Sequence, residues 1–503
     1  MAEYKHGAYG NLSDSVVESM VTVSTVPVYF GTAPVNLVRG YAEADIVNAP
    51  VRLTSLSDAR ARMGDSSDWE AFTLCEAIAA HYNTTAEAVG PIYFVNVLDP
   101  DKHRAKKETV EVIGLVNGTA SFATDRAILD TITIAAEGAD EGAQPYAEGA
   151  DYTLAYNHNA GKVVITAKEG GAMADGNIAV SFFEVTPEAI TSEDIIGYTS
   201  DDGQYFGIDA LQLLYQEQFV VPNLLAAPGW TDDPEVYSRL VKVAQKINGH
   251  WDAFVVADLP LQDGKSAVDT IDKAIAWKDD NAYDSERSAV CWPQVSDYTG
   301  RVFHLSTLYV VESLRADNDN DGVPFESCSN KAIPVCRQHF GDGVPNRGFD
   351  QVRANGLNER GITTAIGWAG EWVLWGPHTA AYRFGSTTMD ARSIFATAIR
   401  MLFHITNYFQ LEWATTIDEP MTRALQDRII NREQAKLGGY VTQGALLGKP
   451  TVVFDQANNP DSSIMEGDFR WDISVTPTPP LKSASVYVAY TDEGFSAYFE
   501  DGE

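Results

Sequence analysis

The spacing of apolar and polar residues divides this chain into three textures, and the changes of texture mark its organisation. Residues 1–22 are polar and Gly- and Ser-rich with scattered aromatics, and they read as an arm with no core of its own. From Val26 the run VPVYFGTAP predicts a short apolar strand ending in a Gly/Pro turn. PVRLTS at 50–55 predicts a second strand. A helix is expected over 68–82, with Trp69, Phe72 and Ala79 at helical spacing, followed by strand PIYFVNV at 91–97. Strand, helix and strand in alternation imply a parallel α/β unit.

Between 106 and 187 the period shortens. VEVIGLV, TITIAA, DYTLAY, KVVITA and IAVSFF are β segments separated by acidic, Gly-rich linkers. They predict an all-β module, a small sandwich or barrel, inserted into the α/β region. The α/β texture resumes with NLLAAPGW at 223–230 and a strongly punctuated helix over 234–248. There Asp233 is the N-cap, Pro234 the first helical residue, and Gly249 follows the end. FVVADLP (254–260) and SAVCWPQV (288–295) continue the strands. A third texture follows, with long helices expected over 391–414 and 420–437 and strands at 451–455, 469–477 and 485–490. The last residues form an acidic tail with embedded aromatics. Gly438, Gly439 and Gly494 are candidate flexible points, Gly438 equally a helix C-cap.

The fold class expected is therefore α/β (α+β) and multi-domain. The divisions are an arm at 1–22, an α/β domain at 23–105 and 188–345, the β insertion at 106–187, a C-terminal core domain at 346–484 and a terminal strand or arm at 485–503. A chain of 503 residues is long enough for several cores. No apolar run approaches the roughly 20 residues needed to span a bilayer, and the N-terminus lacks the apolar stretch of a signal peptide, so a cytoplasmic site of synthesis is expected. The net charge of −34 opposes direct contact with a phosphate backbone. Cys75, Cys291, Cys328 and Cys336 match no zinc or redox spacing and read as reduced thiols.

Candidate chemistry is sparse. DNDNDG at 317–322 places Asp317, Asp319 and Asp321 as an EF-hand loop would. The loop lacks its bidentate glutamate, because the twelfth position is Cys328, Glu326 comes two residues early and Pro324 interrupts it. It reads as a surface turn whose Asp and Asn side chains cap their own backbone. GALLGK at 444–449 has glycines too close together for a phosphate loop, and Pro450 stands where the magnesium-binding hydroxyl belongs. His378 and His404 read as packing or hydrogen-bonding residues. No nucleophile–base pattern or metal-ligand pair points to an enzyme, and no cofactor is expected.

Several segments together resemble the contractile tail sheath proteins of bacteriophages and related phage-tail-like bacteriocins. YKHGAY (4–9), VPVYFGTAPV (26–35), LTSLSDARARMG (53–64), NLLAAPG (223–229) and VVADLP (255–260) follow that family's order. GVPFESCSNKAI (322–333) is similar to its G-V-x-x-x-S-P-S-N-K stretch, with Cys328 where proline is usual. NGLNERGITTA (355–365) and WVLWGPHTA (372–380) complete the series. The resemblance spans nearly the whole chain outside 106–187, a region that varies in the family.

The resemblance implies a structural subunit, polymerised as stacked hexameric rings around an inner tail tube, with baseplate and tail terminator proteins as further partners. The sheath would contract to drive the tube through the target envelope. It implies no direct nucleic acid or membrane contact, a place in a virion or phage-tail-like particle, and assembly in the host bacterial cytoplasm. Interfaces in such a helix are heterologous. The arms would donate strands to neighbouring subunits, with Tyr4, Tyr9, Val486, Val488, Phe495, Tyr498 and Phe499 as anchors. Arg423, Arg428, Arg432 and Lys436 form a basic stripe in an acidic chain. They are candidates to face the tube, against the alternative of an amphipathic face paired to Asp427 and Glu433. A rival reading is a secreted or surface multi-domain binding protein whose β insertion takes carbohydrate or calcium.

Overall fold

Five continuous apolar runs account for the centre of the molecule, because a strand covered on both faces has no polar side to show. In the computed structural model, which describes residues 24–107, 109–138, 144–345 and 349–498, they lie side by side. The strands of this sheet are β1 (Pro27–Gly31), β2 (Pro50–Leu53), β3 (Ile92–Asn96), β4 (Leu224–Ala226), β5 (Phe254–Asp258), β6 (Ser288–Cys291), β7 (Ile362–Trp368) and β8 (Glu371–Trp375). They form one eight-stranded sheet in the order β2-β3-β1-β4-β5-β6-β7-β8. Every inner pairing is parallel, and the two edge strands, β2 and β8, run antiparallel. The chain moves outward from β1 to β3 and resumes at β4 on the other side of β1, which makes the fold doubly wound.

Both edges of this sheet are covered. On β8 the segment 330–333 lies alongside, with Asn330 N–H donating to Leu374 O at 2.7 Å and Ile333 N–H to Trp372 O at 2.8 Å. On β2 the Gln218 amide donates to Pro50 O at 2.7 Å, and the Arg62 guanidinium reaches Arg52 O. Covered edges cannot recruit a foreign strand.

The helices packed on the sheet include α1 (Leu74–Tyr82), α2 (Pro234–Val243) and α3 (Leu305–Asp319). Asp233 caps α2 through Glu235 N–H, with Pro234 at its first position. α2 ends at Val243 and α1 starts at Leu74, so both are shorter than the apolar spacing suggests. Residues 351–375, placed by texture with the C-terminal domain, supply a helix (Gln351–Asn358) and the last two strands of the main sheet. That division needs correcting: a strand's neighbour is fixed by long-range pairing that local texture does not encode.

The inserted module is two three-stranded sheets, Glu111–Leu115 with Gly176–Ser181 and Thr133–Ala136, and Thr119–Ala123 with Lys162–Ala167 and Tyr152–Asn157. It has its own core, in which Phe122 stacks on Phe182 at 5.4 Å around buried Ile134, Val163, Ile165 and Val180. Arg104–Lys106 pairs with Phe183–Val185 at the neck, where the chain enters and leaves.

Beyond the sheet, α4 (Ala396–Trp413) and α5 (Arg423–Gln443) pack with a two-stranded antiparallel ribbon, Thr451–Val453 with Asp472–Ser474. α5 runs unbroken through Gly438 and Gly439, so neither is its C-cap. Gly444, at φ 88°, ends it in the left-handed region, where a side chain would be strained. The four cysteines are free thiols, three of them buried. Among the described residues no helix is long and apolar enough to cross a membrane, and no cluster of ligand side chains could hold a metal ion.

Candidate assembly surfaces

After the ribbon, Thr478 is tied to the end of α5, its hydroxyl on Gly444 O at 2.6 Å and its N–H on Ala445 O at 3.0 Å. The chain then leaves the body. The strand expected over 485–490 is not formed: the segment has no regular secondary structure and pairs with no strand among the described residues. Val486, Tyr487 and Val488 are 84%, 95% and 89% exposed. The physical reason is that a strand is defined by its partner, and a lone chain offers none. Phe495 and Tyr498 sit in a short turn, Glu493–Tyr498, with rings 6.3 Å apart and both exposed. Tyr4, Tyr9 and Phe499 lie outside the described residues. Within the ribbon, the Gln434 amide occupies the outer side of Thr451–Val453, donating to Pro450 O at 2.8 Å and accepting from Val452 N–H at 3.3 Å. The outer side of Asp472–Ser474 pairs with no other strand among the described residues.

The four cations of α5 do not form one free stripe. Arg432 and Lys436 both bind Glu412 of α4, and Lys436 also binds Glu433 at 2.7 Å and lies over the Tyr408 ring at 4.0 Å. These two fasten α5 to α4; the Lys436 side chain is almost fully covered, while that of Arg432 stays 38% exposed. The reason is that Glu412 and Glu433 are themselves buried and need counter-charges. Arg423 and Arg428 remain exposed, Arg428 with only a long 3.7 Å approach to Glu419.

The acidic stretch at 317 is also not the surface turn expected of it. Asp317 and Asp319 complete the last turn of α3, and the turn proper begins at Asn320, with Asp321 and Gly322 at positive φ. Asp317 is fully buried. It pairs with Arg400 of α4 and accepts from the Thr25 hydroxyl at 2.5 Å. Beside it, Asn223 accepts from Val26 N–H at 2.7 Å and donates to Ser24 O at 3.2 Å. The root of the N-terminal arm is thus bolted where α3, α4 and β4 meet. A charge in the apolar run TAIRMLF was the one sequence signal for this pair, since a buried arginine requires a buried acid.

At the point where the strand order reverses, doubly wound folds hold ligands. Here the crevice is filled by the chain's own side chains. The Trp230 indole donates to Thr73 Oγ1 at 3.1 Å, and Thr73 N–H to Thr32 Oγ1 at 3.1 Å. Nearby, Glu76 Oε2 meets His304 Nδ1 at 2.7 Å and its Oε1 accepts from Thr307 Oγ1 at 2.8 Å. Asp258 receives Ser306 N–H at 3.0 Å, so two buried carboxylates cap the start of α3. Burial alone would lower the His304 pKa, but Glu76, then Asp258 and Asp232, outweigh it and hold the ring up to about 9. Burial lifts Asp258 to about 6. Burial instead pushes His81, His378 and His404 down to about 4.

These shifts set a pH dependence. A histidine raised from 6.5 to about 9 contributes about 3 kcal/mol, complete below 6.5 and lost as pH rises through 9. Each histidine lowered to about 4 contributes a similar amount, complete above 6.5 and lost as pH falls through 4. Asp258 opposes this on the acid side, since its raised pKa favours the folded state fully below 3.8 and loses that effect as pH rises through about 6. Burial raises Asp232, Glu312, Asp317 and Glu433 in the same sense, while the paired Asp279, Asp297, Glu326 and Glu412 are lowered and act with the three histidines. Thermal unfolding should therefore show a midpoint falling on both sides of about pH 6.5, and His304→Gln should flatten the alkaline limb only.

No protein-family model matches the chain. Among curated proteins it is similar to the major tail sheath protein of Serratia phage KSP20, 27% identical over 314 residues, 61% of this chain and 73% of that one. The tail sheath protein of Escherichia phage P2 is 26% identical over 323 residues, covering 62% and 74%. Among solved structures the fold is shared with the sheath complex of an extracellular contractile injection system, PVC, in its contracted state. That likeness has a TM-score of 0.52 at 12% identity and covers 98% of this chain and 100% of that one. The chain is thus similar in sequence to two phage proteins described as tail sheath proteins, the family its motifs resemble, and it shares over its length the fold of a contractile sheath structure.

Proposed function

We propose that the chain is a structural subunit of a contractile tail sheath, polymerising as stacked hexameric rings around an inner tube and contracting to drive the tube through a target envelope. The observation that carries this reading is the segment 485–490, an apolar run exposed to water that pairs with no strand among the described residues, on a chain whose ribbon has no further strand beside Asp472–Ser474 among them. Exposed apolar side chains are unfavourable in an isolated molecule, and strand addition to a second copy buries them while pairing backbone groups that water otherwise satisfies. The same offering surface and accepting surface on one chain differ in shape, so repetition builds an open lattice and not a closed dimer. Of the basic residues proposed to face the tube, Arg423 and Arg428 are the most exposed, Arg432 is half-exposed and Lys436 is covered. Contraction requires a metastable extended lattice, whose terminal strands stay attached while the bodies repack.

Electron microscopy of the purified chain tests the reading. Striated or contracted cylinders are the expected result, and a particle that stays monomeric under all conditions overturns it. Arg423→Glu with Arg428→Glu should prevent assembly on tubes while leaving the monomer folded.

A further inference from the structure

The inserted sandwich does not stand clear of the α/β body. It meets the body in a cleft of about 690 Å³, walled by the helix Leu56–Arg62 and the loop after it on one side and by insertion residues 123–125 and 156–161 on the other. The contacts that fix the two walls are polar. Asn36 donates to Asp125 O at 2.9 Å and to Ala127 O at 3.0 Å, Ser66 Oγ donates to Asp125 Oδ2 at 2.6 Å, and Arg39 bridges to Glu148 at 2.7 Å. The cleft is therefore held open at a fixed width.

What faces this space is a set of groups that are already oriented and only half used. Asp65 spends Oδ2 on Arg60 Nε at 2.9 Å, and Asp125 spends Oδ2 on Ser66, which leaves the second oxygen of each without a partner among the described residues. Asn159 accepts from Arg60 at 3.0 Å with its carbonyl, leaving its amide hydrogens to donate. His158 lies 3.3 Å from Asp65 O through Nδ1, and burial lowers its pKa, so its ring is neutral at pH 7 with one nitrogen to spare. The Tyr156 hydroxyl has no hydrogen bond among the described residues. Burial, followed by the fields of Asp125 and Asp65, pushes its pKa up, so it remains a donor. Trp69 contributes a half-buried indole with the Arg301 guanidinium 5.9 Å from its ring.

The charges in the cleft largely cancel within the chain, Arg60 against Asp65 and Arg301 against Asp297. An anionic ligand would gain little and would meet Asp65 and Asp125 at short range. What remains is a balance of acceptors (two carboxylate oxygens, one imidazole nitrogen) and donors (a phenol, an amide, a guanidinium edge) beside aromatic rings. A molecule with several hydroxyls, each donating and accepting, and with a C–H face for an aromatic ring, matches this set. We propose that the cleft between the insertion and the body binds a neutral saccharide, its hydroxyls on Asp65, Asp125 and Tyr156 and its ring against the aromatic side chains. This stands independently of the sheath reading, since it needs only the single folded chain.

The test is saturation-transfer NMR on the full chain with a panel of neutral sugars: glucose, galactose, N-acetylglucosamine and their short oligomers. At least one should give transfer signals with millimolar affinity or better. Tyr156→Phe, which removes a hydroxyl that makes no hydrogen bond among the described residues, and Asp125→Asn should each weaken it about tenfold, as expected for one lost hydrogen bond to a charged or buried group. An unchanged melting temperature in Tyr156→Phe secures the comparison. No signal from any sugar in the panel, or binding indifferent to both substitutions, overturns the proposal. So does binding of calcium ions in their place that both substitutions remove.

Discussion

Replacing Val486 and Val488 with aspartate should abolish cylinder formation while leaving the monomer as stable as before. In the single chain these side chains touch water on nearly all sides, so their loss should change unfolding free energy by no more than about 0.5 kcal/mol. In an added strand the same positions would lie on one face two residues apart, and two buried unpaired carboxylates would cost several kcal/mol per subunit contact. A truncation after Pro480 should act in the same way. Circular dichroism melting of the monomer and negative-stain microscopy of the assembly separate the two quantities. Normal cylinders from the doubly substituted protein would mean that this segment does not join the copies, whatever else does.

The second large effect concerns the root of the N-terminal arm. Asp317→Leu leaves Arg400 buried without its counter-charge, and the cost should be about 3–5 kcal/mol, as for other broken buried pairs. Arg400→Met should cost a similar amount, because the Asp317 carboxylate is already pushed up by burial, with Arg400 and Thr25 holding it back. The double change Asp317→Leu with Arg400→Met should recover much of the loss, since two apolar residues need no pairing. Thr25→Ala should cost about 1 kcal/mol. Chemical denaturation of the four variants measures all of this, and additive effects of the two single changes would show that the pair does not act as a unit.

What was legible in the sequence follows from range of interaction. Apolar runs such as FVVAD and IYFVN announced strands because burial on both faces leaves no other composition. The inserted module was visible because its period and linkers differ from those around it. The caps of α2 were visible because Asp233 and Pro234 act locally. The end of α5 was not, since Gly438 and Gly439 look like a stop, while buried Leu437 and Tyr440 carry the helix through them to Gly444. Nor was the division at residue 346, because β7 finds β6 across more than sixty intervening residues. Among the candidate site residues, Lys436 and Asp317 looked exposed because charges usually are. Their partners, Glu412 and Arg400, come from another helix, and no spacing rule reaches that far. The binding cleft left no local trace at all, being built from two parts of the chain that only the folded insertion brings together.

The amide of Gln434 gives the terminal ribbon a handedness of use. Its two sides are chemically unequal, one stoppered from within and the other with no strand beside it among the described residues. Under the proposed strand addition, a visiting strand would have a single berth there, and a subunit would host one guest before the ribbon is full. Were both sides bare, copies could stack ribbon upon ribbon without limit, which is the geometry of a fibril. One glutamine side chain, by sealing one side, keeps a sticky surface countable.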